Sequence, residues 1–188
     1  LSEKKMSLLA SLNRPVVETQ PVLRKILKAM NEAGVAVTLP CAQRWAGLSP
    51  AATALLITLS EADTPLWLDE ALNTPALRQC LRQAGNAPLT PQQPAGLALL
   101  HSDSNPDLHA IAAAGATIIL EVPALNGGLT LRLRGPGIQE RRAVAPQLPP
   151  KAIDFLREWP LNGQGINLLL TCGDTLMVLP RSVQVAVC

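Results

Sequence analysis

Four arginines and two glycines carry the most specific chemistry in this chain of 188 residues. Arg132 and Arg134 alternate with Leu129, Leu131 and Leu133. On a strand, that spacing sends the leucines to one face and both guanidinium groups to the other. The strand runs into Gly135-Pro136-Gly137, and Arg141-Arg142 follow just beyond the turn. Guanidinium forks match phosphate and phosphonate oxygens bidentately, and backbone N–H groups near Gly135 and Gly137 would add a small anion nest. The pattern predicts a local phosphate or phosphonate site built from Arg132, Arg134, Gly135, Gly137, Arg141 and Arg142. The competing reading is a solvated strand face, its arginines paired with Glu121 across a hairpin and with Glu140. Surface charge runs are common enough to favour that second reading.

No other constellation is as well formed. Gly135-Pro136-Gly137 and Gly163-Gln164-Gly165 both lack the third glycine of a dinucleotide fingerprint and read as turns. Ser49, Ser60 and Ser182 sit in no nucleophile-elbow motif, and His101 and His109 do not complete a triad. Both histidines flank a polar loop and read as surface groups. Asp63 and Asp69 bracket a short apolar stretch, where turn and capping roles fit better than paired acid–base work. Cys41, Cys80, Cys172 and Cys188 are scattered with no Cys-x-x-Cys pair, which argues against a metal site and for buried or incidental thiols of a reducing compartment. Among the lysines, Lys25 and Lys28 fall on the wet face of a helix and Lys151 in a first helical turn. None suits a Schiff base, which needs a desolvated amine, so no pyridoxal phosphate is expected.

The elements that must position these groups are well punctuated. Proline follows a residue able to cap a helix at Gln20-Pro21, Ser49-Pro50, Thr74-Pro75 and Asn105-Pro106. The pattern predicts helices over residues 21–31, 50–60, 75–84, 106–114 and 150–158. Val22, Leu23, Ile26, Leu27 and Met30 make the apolar stripe of the first, and Gly34 ends it. Short strands are expected at 35–39, 65–68 and 96–100. Residues 116–122 and 129–134, joined through Asn126-Gly127-Gly128, read as a hairpin. Residues 166–171 and 176–179 flank Cys172-Gly173-Asp174 as a second hairpin, and 183–187 make a last strand. The stretch 88–94 reads as a proline-rich loop. Helices alternate with strands early and hairpins dominate late, which predicts an α/β fold with a single mixed sheet and flanking helices.

Composition sets the outer limits. An apolar fraction of 48% with 16% charged residues argues for one packed domain over residues 1–188, with 1–18 flexible or appended. There is no Tyr, one Phe and three Trp, too few stacking platforms for single-stranded nucleic acid. A net charge of +2 is too small for a general polyanion binder, so anion recognition must be local. No apolar run reaches the roughly 18 residues that span a bilayer. The apolar part of Met6-Ser7-Leu8-Leu9-Ala10 is too short for a signal peptide, which leaves a cytoplasmic protein as the expectation.

Several strings in order along the chain resemble those of one bacterial family. They are residues 24–30 (RKILKAM), 63–68 (DTPLWL), 86–89 (NAPL), 114–117 (AGAT), 135–138 (GPGI) and 145–149 (APQLP), followed by pieces of 170–188. On these the chain resembles the H-subunit family of the carbon–phosphorus lyase core complex, the PhnH family of phosphonate metabolism. Departures stand at Ala33, Gln83-Ala84, Asn167 and Ser182-Val183, where that family often has Pro, His-Thr, Asp and Thr-Thr. The resemblance implies a trimmed pyridoxal-phosphate-dependent transferase fold without its cofactor site. It implies a homodimer in isolation, and association with the G, I and J subunits, with the L subunit required functionally. It also implies support for moving ribose triphosphate from ATP onto an alkylphosphonate with release of adenine. The chain would then be a transferase subunit with no independent activity, its main work assembly. The readings set against that are a pyridoxal-phosphate-fold enzyme or a small anion- or nucleotide-binding protein acting alone.

Overall fold

The computed structural model describes residues 13–41, 43–60, 65–84, 96–112, 117–158 and 166–188. Its elements are α1 (Asn13–Asn31), β1 (Val37–Thr38), α2 (Pro50–Leu59), β2 (Leu66–Leu68), α3 (Pro75–Gln83), β3 (Leu97–His101), α4 (Leu108–Ala112) and β4 (Thr117–Glu121). The remainder are β5 (Leu131–Arg134), β6 (Arg142–Val144), α5 (Pro150–Arg157), β7 (Leu168–Cys172), β8 (Thr175–Leu179) and β9 (Gln184–Val187). The 88–94 loop, Asp63 and the 163–165 turn lie outside the described residues.

A six-stranded sheet runs in the order β1-β8-β7-β4-β3-β2. β2, β3, β4 and β7 are parallel, and β8 is antiparallel to both its neighbours. The period-two alternation of these aliphatic strands feeds two cores. Leu97, Leu99, Ile119, Leu169, Leu176 and Val178 face α1, α2 and α3. Ala98, Leu100, Ile118, Leu120, Leu168, Leu170 and Met177 face α4, α5 and a three-stranded sheet of order β6-β5-β9. The fold class is the α/β arrangement expected, with a second, three-stranded sheet in place of a single mixed one.

That small sheet corrects the first predicted hairpin. β4 and β5 do not pair: β4 is hydrogen-bonded to β3 on one edge and to β7 on the other. With both edges filled, the chain leaves the large sheet after Glu121, and β5 finds its partners in β6 and β9. Leu129 falls before the strand and is 49% exposed, whereas Leu131 and Leu133 are buried. The second predicted hairpin, β7 to β8 through Gly173, forms as expected.

The helices hold with three adjustments. α1 begins at Asn13, so Pro21 lies inside it and Pro15 occupies the first turn, where a missing N–H costs nothing. Its buried stripe is Val22, Ile26 and Ala29, while Leu23 and Leu27 are 43% and 50% exposed. Each of these leucines lies one residue, about 100° around the axis, from the buried face. α4 starts at Leu108 because the Asp107 carboxylate, not Asn105, accepts from a first-turn amide, His109 N, at 3.1 Å. Asn105 instead sits at φ 44° and its Oδ1 accepts from Lys151 N at 3.0 Å. It thereby caps α5, whose own N-cap, Pro149, has no side-chain group to offer. Gly34 has φ 78° after α1, so the stop favours glycine, and β5 packs close by: a Cβ there would meet Leu133 Cδ1 at 2.6 Å.

Candidate functional site

The arginine strand folds as its alternation requires. Leu131 and Leu133 are buried, and Arg132 and Arg134 stand exposed on β5, the central strand of the small sheet. Their neighbours follow from the register. Arg132 lies between Ala143 of β6 and Ala186 of β9, and Arg134 lies beside Gln184. Continuing the β5–β6 register by one pair puts the exposed Arg141 opposite Arg134. Among the described residues, none of Arg132, Arg134 and Arg141 has an ion pair; the recorded pairs belong to the two histidines. Glu121, the expected partner across the hairpin, is in the other sheet and buried at 8% exposure. The outer face is thus a flat cationic platform floored by small residues.

Arg142 points the other way. It pairs with buried Leu133, is half-buried, and its Nη1 donates to the carbonyl of Ala33 at 2.5 Å. Gly135 and Gly137 hold φ of 143° and 80°. A Cβ at Gly137 would collide with the carbonyl oxygen of Asn31, the last residue of α1, so this turn is pressed against the helix end.

A second site lies at the carboxyl edge of the large sheet, where open parallel α/β sheets commonly receive ligands. Three adjacent strands each close an apolar run with a polar residue: His101 on β3, Glu121 on β4 and Thr171 on β7. The register pairs His101 with Glu121 and Glu121 with Thr171, so the three stand in a row on one face. That face carries α2, and the row meets its N-terminus: Glu121 Oε1 accepts from Ser49 N at 2.8 Å. Ser49 itself caps α2 by accepting from Ala52 N at 3.1 Å. A carboxylate at a helix N-terminus is well placed for the helix dipole.

His101 Nδ1 accepts from Asp103 N at 3.1 Å, which assigns the neutral ring's proton to Nε2. The Asp103 carboxylate lies 3.6 Å from that same nitrogen. Buried Asp69 fixes the end of β3 from below, accepting from His101 N at 3.0 Å and from Ala71 N at 3.3 Å. Its expected turn and capping role is what the structure shows. Thr171 is fully buried, and its Oγ1 has no hydrogen-bond partner among the described residues. Around the row is an open cleft of about 180 Å³, with Ser49, Ser102, Asp103, Pro123 and Cys172 on its walls.

The cleft and the arginine platform belong to different sheets, and among the described residues the cleft is lined by no lysine or arginine. Its residues do not fit pyridoxal phosphate: no amine is present for the aldehyde and no cation for the phosphate. In the sequence His101 borders a polar loop and Glu121 is a partner for the arginines, so spacing alone does not bring this row together. The signal available was the polar residue closing each of three otherwise aliphatic strands, in LALLH, TIILE and LLLTC.

His109 lies elsewhere, at the joint of α4 and α5. Its Nε2 is 3.4 Å from Glu158 Oε2, and its ring meets Phe155 edge-on at 5.2 Å. Among the described residues no helix is long and apolar enough to cross a membrane.

Comparison with known proteins matches residues 10–186 to the family described as bacterial phosphonate metabolism protein (PhnH). A relative from Rhizobium meliloti (strain 1021), alpha-D-ribose 1-methylphosphonate 5-triphosphate synthase subunit PhnH, is 30% identical over 190 residues. That alignment covers 90% of this chain and 91% of the relative. With a match spanning both sheets and all five described helices, the chain belongs to the PhnH family of bacterial phosphonate metabolism proteins.

Proposed function

We propose that this chain is the H-type subunit of a synthase that transfers ribose triphosphate from ATP to an alkylphosphonate, releasing adenine. The observation that supports this reading is the family match over nearly the whole chain, together with the relative named as a subunit of alpha-D-ribose 1-methylphosphonate 5-triphosphate synthase. In this reading the chain works in the cytoplasm and pairs with itself when isolated. In the complex it joins the G, I and J subunits, with the L subunit acting alongside. Its role there is mainly assembly, on a trimmed version of the pyridoxal-phosphate-dependent transferase fold that has no cofactor of its own.

The arginine platform supports a second, direct contribution. Three cations with no carboxylate partner among the described residues favour a polyanion, and Arg132, Arg134 and Arg141 are the groups to meet a triphosphate or phosphonate. Gly135 and Gly137 shape the turn beside them. Arg142 contributes by holding β6 against the end of α1.

Co-purification with the G, I and J subunits, followed by phosphonate ribosylation with and without this chain, tests the subunit role. The expected result is a stable complex in which adenine release depends on the chain. A monodisperse protein that ignores those partners would overturn it. Within the complex, Arg132→Gln, Arg134→Gln and Arg141→Gln are each expected to weaken nucleotide or phosphonate binding about tenfold or more, the loss of one charge-assisted contact, while assembly persists. Unchanged binding in all three would leave the platform without a ligand role.

A further inference from the structure

We infer that the cleft at the carboxyl edge of the large sheet is a subsite for the vicinal hydroxyls of an uncharged sugar ring. Its groups set that chemistry. Glu121 offers a carboxylate that spends one oxygen on Ser49 N and has capacity for further donors. Thr171 lines the cleft and holds a buried hydroxyl with no partner among the described residues, an unmet hydrogen bond beside whatever enters. His101 supplies an Nε2–H donor, because its Nδ1 is committed to Asp103 N. Ser102 and Asp103 add a hydroxyl and a carboxylate at the wall.

Other ligand classes fit less well. An anion would find two carboxylates and no cationic side chain among the lining residues, and the helix dipole of α2 is already satisfied by Glu121. A metal ion would lack a cage: among the described residues, no group of three or more His, Cys, Asp or Glu side chains could hold one. A diol matches, since adjacent hydroxyls donate to a carboxylate and accept from a ring N–H, as ribose does with an acidic residue in dinucleotide folds. The cleft of about 180 Å³ has room for a single sugar ring. It falls below the roughly 300 Å³ at which pockets for drug-sized ligands begin. The inference rests on the proposed function only in naming ribose as the ring. The diol chemistry stands on the cleft alone, and the arginine platform in the other sheet is a separate site.

Saturation-transfer NMR on the full chain, without partner subunits, tests it, with methyl β-D-ribofuranoside as probe and tetrahydrofurfuryl alcohol as the ring lacking the diol. The expected result is millimolar binding of the ribofuranoside, strongest transfer to its H2 and H3, and none to the alcohol. Glu121→Gln keeps an acceptor for Ser49 N but loses the carboxylate, and is expected to weaken binding about tenfold. Thr171→Val keeps the shape and removes the hydroxyl, and is expected to do the same. His101→Gln, at a half-exposed position, provides a third variant if either buried change fails to fold. Equal transfer to both rings, or unchanged ribofuranoside binding in the folded variants, would overturn the subsite. That failure would leave the subunit reading intact, because co-purification and adenine release are measured separately. Binding by a chain that ignores its partners would support the subsite and overturn the subunit reading.

Discussion

At the scale of single residues, burial separates groups that carry structure from groups left free. Thr171 Oγ1 is buried without a partner among the described residues, and such a group costs about 1–3 kcal/mol when nothing satisfies it. Thr171→Val is therefore expected to raise stability by about 1 kcal/mol, read as a thermal midpoint up by roughly 2–4 °C for a chain of this size. A lower midpoint would mean that the hydroxyl has a partner in solution. The arginines divide in the same way. Arg134→Gln removes a cation that faces another, Arg141, and should change the urea midpoint by no more than about 0.5 kcal/mol equivalent. Arg142→Ala removes the donor to Ala33 and a stem that lies beside Gly34, and should cost about 1–2 kcal/mol. Equal losses from the two would contradict the separation of an outer and an inner arginine. The alternation of Leu131 to Arg134 made the outer pair legible in the sequence. Arg142 was not, because its strand is three residues long and pairs through β5.

At the scale of elements, local signals were reliable where the structure is local. Ser49-Pro50 and Thr74-Pro75 start helices as their caps require, with Ser49 and Thr74 oxygens accepting from Ala52 N and Leu77 N. Ser49→Ala should cost about 1 kcal/mol in denaturant unfolding, the usual cost of a lost cap. Asn105→Ala should cost a similar amount through α5, a helix in which it does not lie. A neutral Asn105→Ala would mean that α5 finds its cap elsewhere. Signals failed where the outcome depended on distant chain. Asn126-Gly127-Gly128 is a sound turn signal, yet no turn can make a hairpin when the strand before it has both edges taken by β3 and β7. The polar row of the cleft was hidden for the same reason. His101, Glu121 and Thr171 become neighbours only through parallel pairing, which sequence spacing does not announce.

At the scale of the whole molecule, one sheet serves both cores. Leu99 and Leu100 are adjacent, fully buried and face opposite sides. Either changed to Ala should cost about 2–5 kcal/mol, and each should lower the single transition of the entire protein. Trp45 belongs to one core and Trp67 packs against the other. In variants retaining only one of them, fluorescence unfolding curves are expected to coincide. Separate midpoints would show that the two faces unfold independently.

The position of β7 bears on how the chain is made. This strand sits between β4 and β8 in the sheet, yet it is synthesised after β4, β5 and β6, and β1 waits for β8. Until residues 168–179 emerge, β4 keeps an open aliphatic edge and the first core lacks Leu169, Leu176 and Val178. Non-local pairing of this kind folds slowly and exposes unpaired edges meanwhile. A ribosome-stalled chain ending near residue 165 should be protease-sensitive and bound by chaperones, becoming resistant only once the β7–β8 hairpin has cleared the exit tunnel.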